Sequence, residues 1–233
     1  MDAWLEWARG PAFIFCFGFM VLGLVRHAVL TAWETARVMR RAGDRALPWR
    51  AVAGNTVAWL LPLNLIRRAR LFSLTSMAFH VAILVVPVFL AGHVALWRRA
   101  LGVGWPAIPN GLADVLTIVA VVTAAGLFLL RVTARATRAL TRPMDLFLLL
   151  ALALPFVTGF LVMHPQLNPF AYDSVLFLHV MSANVVFLLV PTTKLAHVVL
   201  LPGMQLVSEA GWHWPADGGS RVGTALGKEA EGV

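Results

Sequence analysis

Five long apolar stretches dominate the chain, and polar or arginine-rich connections separate them. They cover roughly residues 11–30, 72–96, 111–131, 144–163 and 175–200. Each is close to the ~20 residues that a helix needs to cross the hydrocarbon core of a bilayer. Apolar residues run continuously through each stretch rather than alternating, which excludes the strands of a transmembrane β-barrel. The pattern therefore predicts an all-α, polytopic membrane protein with a bundle of five transmembrane helices.

A long connection, residues 31–71, joins the first two stretches and is rich in arginine. Within it, residues 51–66 are apolar but contain proline and asparagine, and the segment is short for a span. If this segment were a sixth crossing, the arginine clusters before and after it would lie on opposite sides of the membrane. We therefore predict an interfacial or partner-docking helix here.

The end of the chain has a different composition, because it is Gly-rich and polar beyond Pro215. We predict a transmembrane domain over residues 1–202, followed by a cytoplasmic tail over 203–233 that is extended or ordered by a partner. The N-terminal segment lacks a basic region and an A-x-A cleavage site, so residues 12–25 are interpreted as part of a retained span rather than a signal peptide.

Composition supports the membrane assignment. The chain has 233 residues, of which 60% are hydrophobic and only 13% are charged, against about 25% charged in soluble domains. The net charge of +8 does not indicate nucleic-acid binding, since the arginines cluster between spans. With Cys16 as its single cysteine, the chain cannot form an intramolecular disulfide or ligate an iron–sulfur cluster alone. Any such cluster must belong to a partner.

The basic residues also predict an orientation. With the N-terminus outside and the C-terminus in the cytoplasm, the inner side carries sixteen of the nineteen lysines and arginines. Only Arg9, Arg98 and Arg99 lie outside. This orientation places His80 and His197 toward the cytoplasmic leaflet.

The last apolar stretch contains two histidines, His179 and His197, which are eighteen residues apart. At about 100° per residue, eighteen steps place both on one face of a straight helix, with a rise of about 27 Å. Histidine inside a span is costly and usually functional. The pair suggests two metal or haem centres stacked across the membrane; two interfacial histidines that bond to neighbouring helices are the alternative.

The second stretch also contains two histidines, His80 and His93, with Pro87 between them. Haem b with two axial histidines needs imidazoles that face each other across the porphyrin. Two helices that carry two histidines each could form two such pairs, His80 with His197 and His93 with His179. Thirteen steps rotate a straight helix by about 220°, so the pairing requires the kink that Pro87 is expected to introduce.

These features resemble the gamma subunit of membrane-bound respiratory nitrate reductase, a five-helix dihaem cytochrome b family. The last span is similar in its histidine spacing, its Leu-His start, the F-L-L-x-P centre over residues 187–191 and Lys194 before the second histidine. The second span is similar in F-H-V-A-I-L from Phe79 and in Gly92-His93. Related anchors occur in sulfite-reductase-linked and heterodisulfide-reductase-like complexes, so the resemblance leaves the partner open.

The resemblance implies two haem b groups with His80, His93, His179 and His197 as axial ligands to the iron. It implies electron exchange between the quinone/quinol pool and the iron–sulfur and catalytic subunits of a redox complex, docked on the cytoplasmic face of a bacterial inner membrane. Lys194 and Arg68 are candidate partners for haem propionates. The candidates for a quinone site beside the outer haem are Gly92, Arg98, His164 and Gln166.

Other interpretations stay open. His27, at the end of the first span, is most simply interfacial, but it could instead ligate the inner haem or contact a propionate. The whole protein could be a haem-free membrane anchor or a transporter subunit, although the histidine pairs and the lack of an internal repeat argue against a transporter. A cytochrome b anchor of a hydrogenase or formate dehydrogenase is disfavoured by the match in the last span.

Overall fold

A computed structural model describes residues 2–42, 48–60, 70–212 and 218–228. Apart from one parallel bridge between Leu90 and Ile108, these residues form helices and short connections. The α-helices are, in chain order, α1 (Asp2–Trp7), α2 (Phe13–Ala42), α3 (Trp49–Leu60), α4 (Arg70–Phe89), α5 (Ala91–Leu101), α6 (Asn110–Thr133), α7 (Arg135–Leu140), α8 (Pro143–Met163), α9 (Tyr172–Thr192), α10 (His197–Trp212) and α11 (Gly218–Ala225). A π-helical turn, Ala8–Ala12, joins α1 to α2.

Five helical segments are long and apolar enough to cross a membrane, as the sequence predicts. They are Asp2–Arg37, Arg70–Phe89, Asn110–Thr133, Pro143–Met163 and Tyr172–Thr192. The described residues thus confirm an all-α protein with five candidate spans. The second and fifth spans are shorter than predicted, because each α-helix is interrupted before its second histidine.

Residue contacts divide the chain into two compact units, the first made of Met1–Cys16 and Leu63–Val186 and the second of Phe17–Pro62 and Phe187–Val233. In the first unit, α6 packs against both α4 and α8. Its buried face carries small residues, Ala113, Thr117, Ala120 and Ala124, in alternating steps of four and three. Small side chains let helices approach closely, which stabilises packing in lipid through van der Waals contact.

The second span is broken at Leu90, which has extended backbone angles (φ −63°, ψ 130°). Pro87 lies inside the last turn of α4 and has no N–H to donate to the preceding turn. The kink predicted at Pro87 therefore takes the form of a break three residues later, and α5 begins at Ala91. His80 and His93 lie on separate helices, so the rotation calculated for one straight helix does not apply.

The fifth span is also interrupted. We expected one helix over residues 175–200, but α9 ends at Thr192, Thr193 is extended, and a 3₁₀ turn covers Lys194–Ala196. His197 is the first residue of α10. The argument that placed His179 and His197 on one face assumed a continuous α-helix, and this assumption is wrong.

In the second unit, α3 packs against α10. Val52 and Ala210 form its buried contact, with Met39 and Leu206 around them. The described helix α3 has 12 residues, fewer than a span requires. The predicted interfacial or partner-docking segment, residues 51–66, continues into residues 61–69, which lie outside the described part, so it stays a prediction. The tail was predicted to be extended or ordered by a partner. Instead α10 continues to Trp212, because packing on α3 gives it a buried face, and α11 follows.

Candidate functional site

The break at Leu90 exposes carbonyl groups that a continuous helix would use internally, and each finds another donor. Pro87 O accepts a hydrogen bond from His93 Nδ1 (3.0 Å). Val88 O accepts from Trp105 Nε1 (2.9 Å), and Phe89 O accepts from the backbone N of Ile108 (3.0 Å). The last carbonyls of a helix need such partners, especially in lipid. The break therefore fixes the orientation of the His93 ring.

His179 on α9 is oriented by α8. Its Nδ1 donates to Pro155 O (2.9 Å), and Thr158 Oγ1 lies 3.4 Å from the same nitrogen. Gly159 provides the space for the ring, because a Cβ atom there would lie 2.9 Å from His179 Cε1 and 3.1 Å from Nδ1. Any larger residue at position 159 would push the imidazole away, so this glycine forms a cradle for His179.

His93 and His179 face each other within the first unit. Their ring centroids are 6.2 Å apart and their planes differ by 13°. A carbonyl oxygen can only accept, so both Nδ1 atoms carry the proton and both Nε2 atoms keep the lone pair that binds metals. A metal about 2.0 Å from each Nε2, as in zinc–imidazole bonds, would hold the centroids roughly 6 Å apart. The observed centroid separation of 6.2 Å is close to this value.

The donor set fits haem better than a metal held by protein ligands alone. Among the described residues, no group of three or more histidine, cysteine, aspartate or glutamate side chains lies together. His93 and His179 would hold the iron of a haem, and a porphyrin would supply the remaining nitrogen ligands. Backbone carbonyls that fix the tautomer of each ligand are the usual outer partners of metal-bound histidine. The His93–His179 pair therefore has the donor chemistry of a haem b site.

The other two predicted ligands show the same hydrogen-bond pattern. His80 Nδ1 donates to Ser76 O (2.7 Å), and His197 Nδ1 donates to Lys194 O (2.8 Å). Each therefore carries its proton on Nδ1, as in the first pair. His80 lies in the first unit and His197 in the second, so their pairing stays a prediction. Lys194 as a propionate partner also stays a prediction, and Arg68 lies outside the described residues.

His27 has a packing role in the second unit. Its Nε2 lies 2.9 Å from Pro191 O, a carbonyl in the last turn of α9, and therefore donates to it. One turn earlier, a Cβ atom at Gly23 would lie 2.5 Å from Pro191 Cβ. Close contact and hydrogen bond together fix α2 against the end of α9. His27 therefore bonds to a neighbouring helix, while its interfacial position and its alternative roles at the inner haem stay predictions.

The four predicted quinone-site residues have different surroundings. Gly92 is open, since a Cβ atom there would meet nothing within 4 Å. Arg98 folds over the following loop, where a Cβ atom at Gly104 would lie 2.8 Å from its Nε. Gln166 is exposed in the 3₁₀ turn after α8. His164 has its Nε2 3.5 Å from Asp114 Oδ2.

Sequence reasoning missed three members of these sites. Pro155 and Gly159 are visible as helix-breaking residues inside an apolar span, but nothing local shows that they contact a histidine of the next span. Asp114 follows the loop between spans and is an acidic residue near the end of an apolar helix. That position is a signal for a polar partner, although it does not identify His164.

Five helices able to cross a membrane and a paired-imidazole site define a multi-pass helical membrane protein with a candidate metal centre. The chain is 31% identical over 186 residues to a protein of Nitratidesulfovibrio vulgaris, and this alignment covers 79% of the chain and 80% of its relative. The chain therefore belongs to the same family as that protein, whose name states no activity. No family model and no solved structure matches the chain.

Proposed function

We propose that the protein is the membrane-anchor dihaem cytochrome b subunit of a respiratory redox complex, similar to the nitrate reductase gamma family. The observation that carries this proposal is the His93–His179 pair, with rings 6.2 Å apart and both Nδ1 protons bound to backbone carbonyls. His93 and His179 would hold the outer haem b. His80 and His197 would hold the inner one.

Haem b, when bound, supplies a one-electron centre that cycles between ferric and ferrous iron. The chain holds the ligands in place. Pro87 O and Pro155 O fix the tautomers of His93 and His179, so the Nε2 lone pair of each ring is available to bind a metal. Gly159 admits the His179 ring, and small residues on α6 keep the surrounding helices close. The role is electron transfer between the quinone/quinol pool and an iron–sulfur partner, since a chain with a single cysteine cannot ligate such a cluster alone.

We place the protein in a bacterial inner membrane with the N-terminus outside. The excess of basic residues on the opposite side supports this orientation. The quinone would bind on the outer side, where Gly92, Arg98, His164 and Gln166 belong. The partner subunits would dock on the cytoplasmic face, next to α3 and the C-terminal helices.

Haem stoichiometry tests the proposal directly. We expect the purified chain, in detergent or nanodiscs, to contain two b-type haems, both low-spin and six-coordinate, because each has two histidine ligands. A pyridine haemochrome assay against protein concentration gives the ratio, and electron paramagnetic resonance reports the spin state. One haem per chain would leave only the His93–His179 site. A colourless, folded protein would favour a haem-free anchor.

The docking face is tested by crosslinking within the native complex. A photoreactive residue at position 50 or 228 should crosslink to an iron–sulfur subunit, because both positions belong to the predicted cytoplasmic side. The same group at position 99 serves as the control on the outer side. Crosslinks from position 99 alone would reverse the proposed orientation of docking.

A further inference from the structure

Arg131 lies in the last turn of α6, at the end of a candidate span. Its guanidinium carbon is 5.9 Å from the centre of the Phe72 ring on α4, a distance typical of a cation–π contact. The Nε atom is buried and has no hydrogen-bond acceptor within the described part of the chain. An unpaired buried donor on a charged group is costly, so this N–H calls for an acceptor that the described side chains do not supply.

A second unpaired polar group lies next to Phe72. Ser73 is 3% exposed, and its hydroxyl has no partner among the described residues. Here α4 and α6 are antiparallel neighbours, and a Cβ atom at Gly126 would lie 3.5 Å from Thr75 Cγ2. Arg131 is five residues after Gly126 and Ser73 is two residues before Thr75, so the two unpaired groups lie within about one helical turn of each other in depth.

The same end of the first unit is basic. Thr137 Oγ1 donates to Leu130 O, which keeps the short helix α7 beside the last turn of α6. Asp145, the acidic residue described at this end of the unit, caps α8 with its carboxylate. Together with Arg131, the arginine cluster consists of the exposed residues Arg70 on α4, Arg135 and Arg138 on α7, and Arg142 before α8. Such an excess of positive charge attracts an anion.

We propose that the arginine cluster binds the phosphodiester of an anionic phospholipid, with Arg131 and Ser73 at the centre of the site. Lipid headgroups lie at the ends of membrane-spanning helices, and the planar donors of arginine match the geometry of phosphate oxygens. The Nε–H of Arg131 and the hydroxyl of Ser73 would each donate to a phosphate oxygen. The exposed arginines would favour a headgroup with net negative charge. This proposal requires the membrane-spanning helices but no haem.

The surroundings of the cluster favour a lipid over other sources of an anionic oxygen. Leu74 on α4 and Leu129 on α6 lie next to the two central residues and are 55% and 58% exposed, so acyl chains have apolar side chains to contact. A free phosphate ion has the same oxygens but no group for these leucines. A haem propionate is the third source, since His80 lies about two turns further along α4, on nearly the same face as Ser73.

Native mass spectrometry of the purified full chain tests the site. We expect one phosphatidylglycerol to stay bound to the wild-type chain in detergent. Its dissociation constant should rise at least tenfold in Arg131→Gln, because the buried donor and the charge are lost together. Arg138→Gln, at the same end but exposed, is the matched control. One basic residue near anionic lipid contributes about fivefold through its charge, so the control should change binding fivefold or less. Equal effects of the two substitutions would indicate a general attraction and overturn the proposal.

Ser73→Ala tests the second donor without a change of charge, and its small side chain is compatible with the fold. Loss of one hydrogen bond should weaken phosphatidylglycerol binding by about threefold to tenfold. The rise in melting temperature that the lipid causes in the wild-type chain should shrink in parallel. If Arg131→Gln does not fold, Ser73→Ala still decides the outcome. An unchanged dissociation constant in Ser73→Ala would contradict the proposed site.

The other sources of an anion give different results. Phosphatidylcholine and inorganic phosphate, titrated in the same way, should each bind at least tenfold more weakly than phosphatidylglycerol. Equal binding of phosphatidylcholine would contradict the preference for a negative headgroup, and equal binding of phosphate would indicate a free-anion site. Loss of a haem from Arg131→Gln with the lipid retained would assign Arg131 to a propionate. Each of these results overturns the proposal. A haem-free wild-type chain that binds one lipid would contradict only the proposed function.

Discussion

Replacing His179 by alanine is expected to remove one haem and leave the other spectrally intact. His93→Ala should remove the same haem, because the two ring centroids are 6.2 Å apart and, in the proposed function, both imidazoles would ligate that haem. The expected haem content is one per chain in each variant. Reduced-minus-oxidised spectra and redox titration identify which haem is lost.

The remaining histidines provide the controls. His164→Ala should retain both haems, since its ring bonds to Phe160 O and Asp114 rather than to a ligand. His80→Ala and His197→Ala should each remove the other haem. If His93→Ala and His179→Ala removed different haems, the pairing proposed for the first unit would be wrong. If His80→Ala retained both haems, His27 would become the alternative inner ligand.

The second large loss of haem is expected from a substitution at Gly159, a residue that is not part of any ligand motif. A Cβ atom at this position would lie 2.9 Å from His179 Cε1, so Gly159→Ala must displace the ring and strain its bond to Pro155 O. Changes to groups that orient a metal ligand cost about 10–100-fold in affinity. We expect a loss of this size for the outer haem, with a shifted electron paramagnetic resonance signal from any haem that remains.

The effect of Gly159→Ala on helix stability has the opposite sign to its expected effect on haem binding, so the two effects can be distinguished. Alanine is favoured over glycine inside a helix by about 1 kcal/mol, so a weaker haem site cannot be attributed to a weaker helix. Gly126→Ala is the matched control, because its Cβ would meet Thr75 Cγ2 at an ordinary 3.5 Å. Retention of the inner haem in Gly159→Ala would show that the protein is folded. An unchanged outer haem would contradict the role of this glycine.

The structure gives the two histidine-bearing spans a common design. Each α-helix ends a few residues before the second histidine of its span, and an extended residue follows, Leu90 in one case and Thr193 in the other. At the first break, His93 bonds back to a carbonyl of the helix end. At the second, His197 bonds to Lys194 O in the 3₁₀ turn. In both cases the break allows the ring to be held by backbone close in sequence.

This design explains why the straight-helix calculation gave an incomplete account of the histidines. Spacing along one helix predicts a face only while the helix continues. Pro87 signalled an irregularity, but its effect, a new helix beginning at Ala91, depends on contacts with Trp105 and Ile108. Those residues lie in the following loop, and their hydrogen bonds to α4 form only in the folded chain.

The sequence by itself determined the class of fold and the candidate ligands. Lipid imposes a length of about 20 apolar residues on each crossing helix, so composition alone identifies the five spans. Histidine within such spans is costly, so the candidate ligands could also be read from the chain. Pairing His93 with His179 followed from matching their depths, and the two rings do face each other in the first unit.

Only the tertiary structure decided what holds these residues. His179 contacts Pro155 O and Gly159 on the neighbouring helix, and His164 contacts Asp114. Helix periodicity contains no information on which residues of two helices meet. The buried small residues of α6 and the break at Leu90 set those contacts. The physical reason is that the orientation of a ligand depends on hydrogen bonds between helices and on differences of less than an ångström in the space between them. Helix packing creates both, and they cannot be derived from the order of residues along the chain.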